Sequence, residues 1–181
     1  MNILISGAQC VGKTTLINSL KSIHPDWVFY DEVVRKLALT GIKVSELGND
    51  ETQIVIMEQH AKNIKSANMF GVNVFDRGPL DCFAHSAWML EKGKISKETY
   101  RKSMNDFSNL MDSFDEVFFI APEFEIQDDG FRSTSKQFQT EMNQLFIQIL
   151  KEWEIDYTIL KGSVLARIET LHNILNIEVP K

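Results

Sequence analysis

Read for hydropathy alone, the chain alternates two kinds of segment. Short apolar runs occupy residues 2–6, 27–30, 72–75, 116–120 and 157–160. Each is rich in aliphatic or aromatic side chains and bounded by polar residues, which predicts buried strands. Between them lie longer stretches whose apolar residues recur every three or four positions. The clearest sets are Ile54, Met57, Ala61, Ile64 and Ala67; Tyr100, Met104, Phe107, Leu110, Met111 and Phe114; and Phe138, Met142, Leu145, Phe146, Ile149 and Trp153. That spacing gives helices with one apolar face. Residues 14–23, 33–39 and 80–90 predict three more helices, and Val164, Ile168, Leu171 and Leu175 a last one.

Punctuation agrees with this reading. His24-Pro25 stops the first helix, because a residue before proline leaves the helical region, and Gly41 closes the second. Asp50-Glu51-Thr52-Gln53 resembles a capping box, and Ser96 caps the helix that follows it. Strands separated by helices predict an α/β fold: five parallel strands, covered by helices on both faces. Ligands of such sheets bind at the carboxyl ends of the strands. The polar groups at residues 7–14, Asp31-Glu32, Asp76-Arg77 and 128–132 all follow strands, and so are expected to converge.

The first of these groups has a specific spacing. Residues 7–14 read Gly-Ala-Gln-Cys-Val-Gly-Lys-Thr, the pattern G-x-x-x-x-G-K-T, set between a strand and a helix. Gly7 and Gly12 let the backbone turn tightly and approach a ligand. Successive N–H groups then line a concavity for anions, at the positive end of the new helix. Lys13 adds a mobile cation, and Thr14 a hydroxyl where Mg²⁺ would meet phosphates. Gly7, Gln9, Cys10, Val11, Gly12, Lys13, Thr14 and Thr15 are the candidate nucleotide contacts. Cys10 occupies a variable position of the pattern and reads as a small residue that fits.

Composition narrows the setting. A chain of 181 residues suits one domain over 1–181. Net charge −6 argues against duplex nucleic acid as a partner, because phosphate backbones favour basic surfaces. Cys10 and Cys82 form no metal or redox pair, so reduced thiols in the cytoplasm are expected. No apolar run approaches membrane-spanning length, and the first residues do not read as a signal peptide. His24, His60, His85 and His172 lack metal-ligand spacing and receive no function.

Residues 7–14, then Asp31-Glu32-x-x-Arg35, Asp76-Arg77-Gly78-Pro79-x-Asp81 and Asp129-Gly130-x-Arg132 occur in that order. Together they resemble the P-loop family that includes the ribosylnicotinamide kinase domain of the bacterial NAD regulator. More broadly, the chain resembles nucleoside and nucleoside-monophosphate kinases. The resemblance implies a three-layer P-loop NTPase fold with strand order 2-3-1-4-5 and a lid over about 122–137. It implies ATP and Mg²⁺ as cofactors, and transfer of the γ-phosphoryl to a hydroxyl or phosphate of a small nucleoside-like acceptor. By the same resemblance Asp76 holds Mg²⁺ with Thr14, Arg77 lies in the acceptor pocket, Asp31 or Glu32 is the carboxylate near the acceptor hydroxyl, and Arg132 is the lid arginine. A second lid arginine, common in such kinases, is replaced by nothing closer than Lys136.

Each role has a plainer alternative. Asp76 could cap a helix, and Asp31 and Glu32 could merely suit a helix N-terminus. As proton acceptor Asp31 is preferred to Glu32, because it directly ends the strand. Arg35 could pair with Glu32 along one helix, Asp81 could bind acceptor hydroxyls or sit in a first helical turn, and Arg132 could be solvated. Two other functions fit a phosphate loop. A nucleotide-switched regulator is disfavoured, since D-x-x-G and N-K-x-D steps are missing. A polynucleotide 5′-hydroxyl kinase is disfavoured by the acidic balance.

Overall fold

The computed structural model describes residues 1–123 and 135–177. Five strands, β1 (Asn2–Ser6), β2 (Val28–Tyr30), β3 (Asn73–Asp76), β4 (Glu116–Phe119) and β5 (Thr158–Ile159), form one sheet. All pair in parallel, in the order 2-3-1-4-5, so the expected fold class and strand order hold. The helices among the described residues are α1 (Lys13–Ile23), α2 (Val33–Leu39), α3 (Asp50–Lys65), α4 (Pro79–Glu91), α5 (Lys97–Met111), α6 (Lys136–Glu152) and α7 (Val164–Leu175). None of them is long and apolar enough to cross a membrane.

The strand order explains the layers. Parallel crossovers are right-handed, so the direction of each step chooses the face on which its helix lies. The step from β1 to β2 runs one way, and those from β2 to β3, β3 to β4 and β4 to β5 run the other. Accordingly α1 packs with α7, while α3, α4, α5 and α6 pack among themselves. Chain leaving β1 and chain leaving its neighbour β3 therefore depart to opposite faces. The crevice between their carboxyl ends is where such sheets bind ligands.

The core follows the strands. Ile3, Leu4, Ile5, Val74, Phe75, Phe118 and Phe119 are buried, as a sheet covered on both faces requires. On one side Phe83 of α4 stacks on Phe107 of α5 at 4.7 Å, and Trp153 meets Phe107 edge-on at 5.0 Å.

Two local expectations are corrected. The cap of α3 is Asn49, whose side chain accepts from Thr52 N–H at 3.0 Å; the Asp50 carboxylate instead accepts from Ser96 N–H and Oγ. The buried stripe of α3 is also rotated. Thr52, Gln53, Ile56, Met57 and His60 are buried, whereas Ile54 and Ala61 are half-buried. Polar Gln53 and His60 take the inward face because that face lines a cleft. The cap expected at Ser96 is present, with its Oγ accepting from Thr99 N–H at 3.1 Å.

Candidate active site

The loop after β1 is fixed through its carbonyls. Lys13 Nζ donates to Gly7 O at 2.7 Å and to Ala8 O at 2.6 Å. Gln139 Nε2, from α6, donates to Gln9 O at 2.7 Å, and Arg167 Nη1, from α7, donates to Val11 O at 2.9 Å. A trans peptide is planar, so holding the C=O of one residue aims the N–H of the next in the opposite direction. Pinned carbonyls thus turn the loop's amides toward one concavity.

The glycines are demanded by space. Gly7 has φ +142°, and a Cβ on it would lie 2.3 Å from Ile120 O, so the loop runs against the backbone just past the end of β4. Gly12 caps α1 at φ +90°. Cys10 itself adopts φ +59° and is half-buried. Thr14 and Thr15 lie in the first turn of α1, half-buried and exposed respectively.

Lys13 is 1% exposed. Burial, and then the nearby Arg77 charge, pull its pKa down to about 7, against the opposing pull of Asp81, Asp76 and Glu32. Beside it β3 ends in Asp76, which is 6% exposed. Its Oδ1 is buried and has no hydrogen-bond partner among the described residues. Burial and then the Glu32 charge raise the Asp76 carboxyl to about 6. A buried carboxylate oxygen without a donor fits a cation. Among the described residues no three His, Cys, Asp or Glu side chains could hold a metal unaided. A Mg²⁺ here would take its other ligands from phosphate and water.

The next residue, Arg77, has φ +71° and is buried between two carboxylates. Its Nε donates to Glu32 Oε1 at 2.8 Å, its Nη1 to Asp81 Oδ1 at 3.1 Å and, more weakly, to Gly7 O at 3.3 Å. Asp81 in turn accepts from Ser6 Oγ at 2.9 Å and Gly78 N–H at 3.2 Å. Gly78 has no room for a side chain, since a Cβ would lie 2.8 Å from Leu4 Cδ1. One arginine thereby ties the carboxyl ends of β1, β2 and β3 together.

The two acidic residues after β2 part company. Glu32 is 7% exposed and faces inward. Asp31 is exposed and pairs with Lys21 of α1, with Lys36 at 3.9 Å on its other oxygen. Of the two candidate proton acceptors, the structure thus brings Glu32 to the site and leaves Asp31, the preferred one, at the surface. Arg35 is half-buried and lines the cleft. Arg132, with Asp129-Gly130 and most of the expected lid, lies outside the described residues. Of that segment's flanks, Glu123 accepts from Arg167 Nη2 at 3.0 Å and Gly162 N–H at 2.8 Å, and Ser135 caps α6.

An open cleft adjoins the loop. Gln9, Glu32, Arg77 and Asp81 form its loop end; Arg35, Gln53, Ile56, His60, Cys82, His85 and Phe138 are among its other walls. Burial, then the charge of Arg77, lower both His60 and His85 to about 3, so both are neutral. Gln53 Oε1 accepts from Ser86 Oγ at 3.2 Å. Burial pushes the Cys82 thiol up to about 12, which makes it unreactive. The sequence points to the stretches 31–35, 53–60 and 81–88 as pocket walls, and the structure puts Gln53, His60 and His85 there, although the sequence assigns the two histidines no individual role. Sequence reasoning missed Gln139 and Arg167, and nothing local marks them.

Fold and site together define a P-loop NTPase-type α/β protein. The chain belongs to the AAA domain family, whose model matches residues 2–167. It is similar in structure to the NadR protein solved in complex with NR, with TM-score 0.79 and 18% identity over 99% of this chain and 53% of that one. The chain thus spans about half the length of that relative. It is also similar to the deoxyadenosine kinase of M. mycoides (TM-score 0.71, 17% identity, 97% and 98% covered). The thymidylate kinase of Candida albicans is a third likeness (TM-score 0.62, 17% identity, 97% and 90% covered). These identities establish a shared fold. No curated protein matches the chain by sequence.

Proposed function

We propose that the protein is a kinase that transfers the γ-phosphoryl of ATP to a small nucleoside-like acceptor: a nucleoside, a nucleoside monophosphate or ribosylnicotinamide. The observation that carries this reading is the cleft beside the phosphate loop. A nucleotide switch needs only the phosphate cradle, whereas a transferase needs a place for an acceptor at the outer end of the same loop. Here one cleft shares Gln9, Arg77 and Asp81 with the surroundings of that cradle. The solved structures of similar fold include a deoxyadenosine kinase and a thymidylate kinase, which supports the same class.

The roles follow from charge and reach. The loop amides and Lys13 hold the triphosphate. Thr14 and Asp76 would hold Mg²⁺, which when bound neutralises phosphate charge. Glu32 takes the proton of an acceptor hydroxyl, its carboxylate aimed by the 2.8 Å bond from Arg77 Nε. Arg77 is itself held by Asp81, and Arg35 lies on the acceptor side. Arg132 supplies a further cation from the lid.

An acceptor screen tests this. With ATP and Mg²⁺, ADP formation should depend on one class of acceptor and vanish in Lys13→Ala. The reading fails if no nucleoside, nucleoside monophosphate or ribosylnicotinamide stimulates ADP release. Labelling of a 5′-hydroxyl oligonucleotide, or guanine nucleotide binding without transfer, would replace it with one of the other two functions.

A further inference from the structure

Gln9 is the cleft's unanswered group. The residue is 6% exposed and lines the cleft, yet neither Oε1 nor Nε2 of its side chain has a hydrogen-bond partner among the described residues. Buried polar atoms in native proteins are nearly always paired. Gln9 cannot relieve the deficit by moving its backbone, since Gln139 holds its carbonyl at 2.7 Å. A side-chain amide presents one acceptor and one donor group side by side. It therefore asks for a ligand that offers both kinds of partner on adjacent atoms.

Charge restricts that ligand further. Arg77 is already bonded to Glu32 and Asp81, so its charge at the loop end of the cleft is matched, and the cleft's other arginine, Arg35, stands on a different wall. His60 and His85 are neutral and add no charge. Place restricts it again. Gln9 belongs to the phosphate loop, so the part of an acceptor within its reach lies beside the reacting hydroxyl. In a nucleoside that part is the sugar, while a flat base would extend toward the apolar walls of Ile56 and Phe138.

We propose that Gln9 determines acceptor specificity, its buried amide pairing with the two adjacent hydroxyls of a ribose on an acceptor that carries no phosphate. This rests on the kinase reading above and narrows it by setting the nucleoside monophosphate aside. Glutamine is required because a vicinal diol can accept from Nε2 and donate to Oε1 at once.

Substrate and side chain can be varied separately. In the unaltered protein, replacing a ribonucleoside by its 2′-deoxy analogue should lower kcat/KM about 10- to 100-fold, the effect of one lost hydrogen bond in a buried site. The matching nucleoside monophosphate should be a poorer acceptor still. In Gln9→Leu the ribonucleoside should lose a similar factor, and the ribo and deoxy substrates should then differ by less than about threefold. Equal use of ribo and deoxy substrates by the unaltered protein overturns the proposal whether or not the variant folds. So does preference for a monophosphate, discrimination that follows the base alone, or a ribo preference that persists in Gln9→Leu. If the unaltered protein transfers phosphate to none of them, the kinase reading falls and takes this one with it. If it transfers well without discriminating the sugar, only the assignment to Gln9 falls.

Discussion

The phosphate loop and the acceptor cleft meet at Gln9 but are built on opposite terms. In the loop, the carbonyls of Gly7, Ala8, Gln9 and Val11 each accept from a side-chain donor, all four from Lys13, Gln139 or Arg167 at 2.9 Å or less. In the cleft, the side-chain amide of Gln9 is buried with no hydrogen-bond partner among the described residues. A site for a fixed chemical group gains from being rigid before the ligand arrives. A site that selects among acceptors keeps unsatisfied atoms as its questions, because leaving them unpaired penalises the wrong molecule.

The contrast can be broken first at Lys13. Lys13→Ala removes both the cation and the clamp on Gly7 O and Ala8 O, so acceptor-dependent ADP formation should fall by about a thousandfold or more. Gly7→Ala should cost about 4 kcal/mol or more in urea unfolding, since the new Cβ meets Ile120 O at 2.3 Å in a positive-φ residue. Glu32→Gln should lower kcat about a hundredfold or more, with KM much less affected. It should also destabilise the fold by about 3 kcal/mol, because Arg77 keeps only Asp81 as a charged partner. Asp31→Asn, one residue away, should change kcat less than about twofold and stability by less than about 1 kcal/mol, as an exposed pair with Lys21 predicts. Equal losses in the two variants would contradict the placement of Glu32 at the site.

Acid sharpens the comparison, since two of the titrating groups, His60 and His85, line the cleft. His60 and His85 sit near 3 in the folded chain and at 6.5 when unfolded, so below about pH 6.5 the unfolded chain binds two protons that the folded chain refuses. Asp76, raised to about 6 from 3.8, works the other way and offsets one of them between those values. Stability should therefore fall as pH drops from about 6.5 to 4. Each uncompensated proton contributes about 1.4 kcal/mol per pH unit. Urea midpoints across that range measure it, and His60→Gln should flatten the slope.

What the sequence could reveal divides along the same line. The loop was legible because its function needs a fixed spacing of Gly, Lys and Thr, and the strands because a doubly covered sheet forces unbroken apolar runs. Which carboxylate enters the cleft was not, for a geometric reason. Asp31 and Glu32 follow the same strand, and adjacent side chains there point to different sides. Which one faces inward depends on how β2 pairs with β3, where Tyr30 lies opposite Phe75, and on the turn into α2. Likewise Asn49 capped α3 ahead of the expected Asp50, and this went with a helical face that turned Gln53 and His60 inward. Arg167 lies 156 residues from the carbonyl it holds, beyond the reach of any local pattern.

The central claim is that one loop serves two ligands at once. A bisubstrate analogue, adenosine joined through a polyphosphate chain to the 5′-oxygen of a ribonucleoside, tests it most directly by competition binding. It should displace both ATP and the nucleoside and bind more tightly than either alone. An analogue that competes with ATP but leaves nucleoside binding untouched would contradict it.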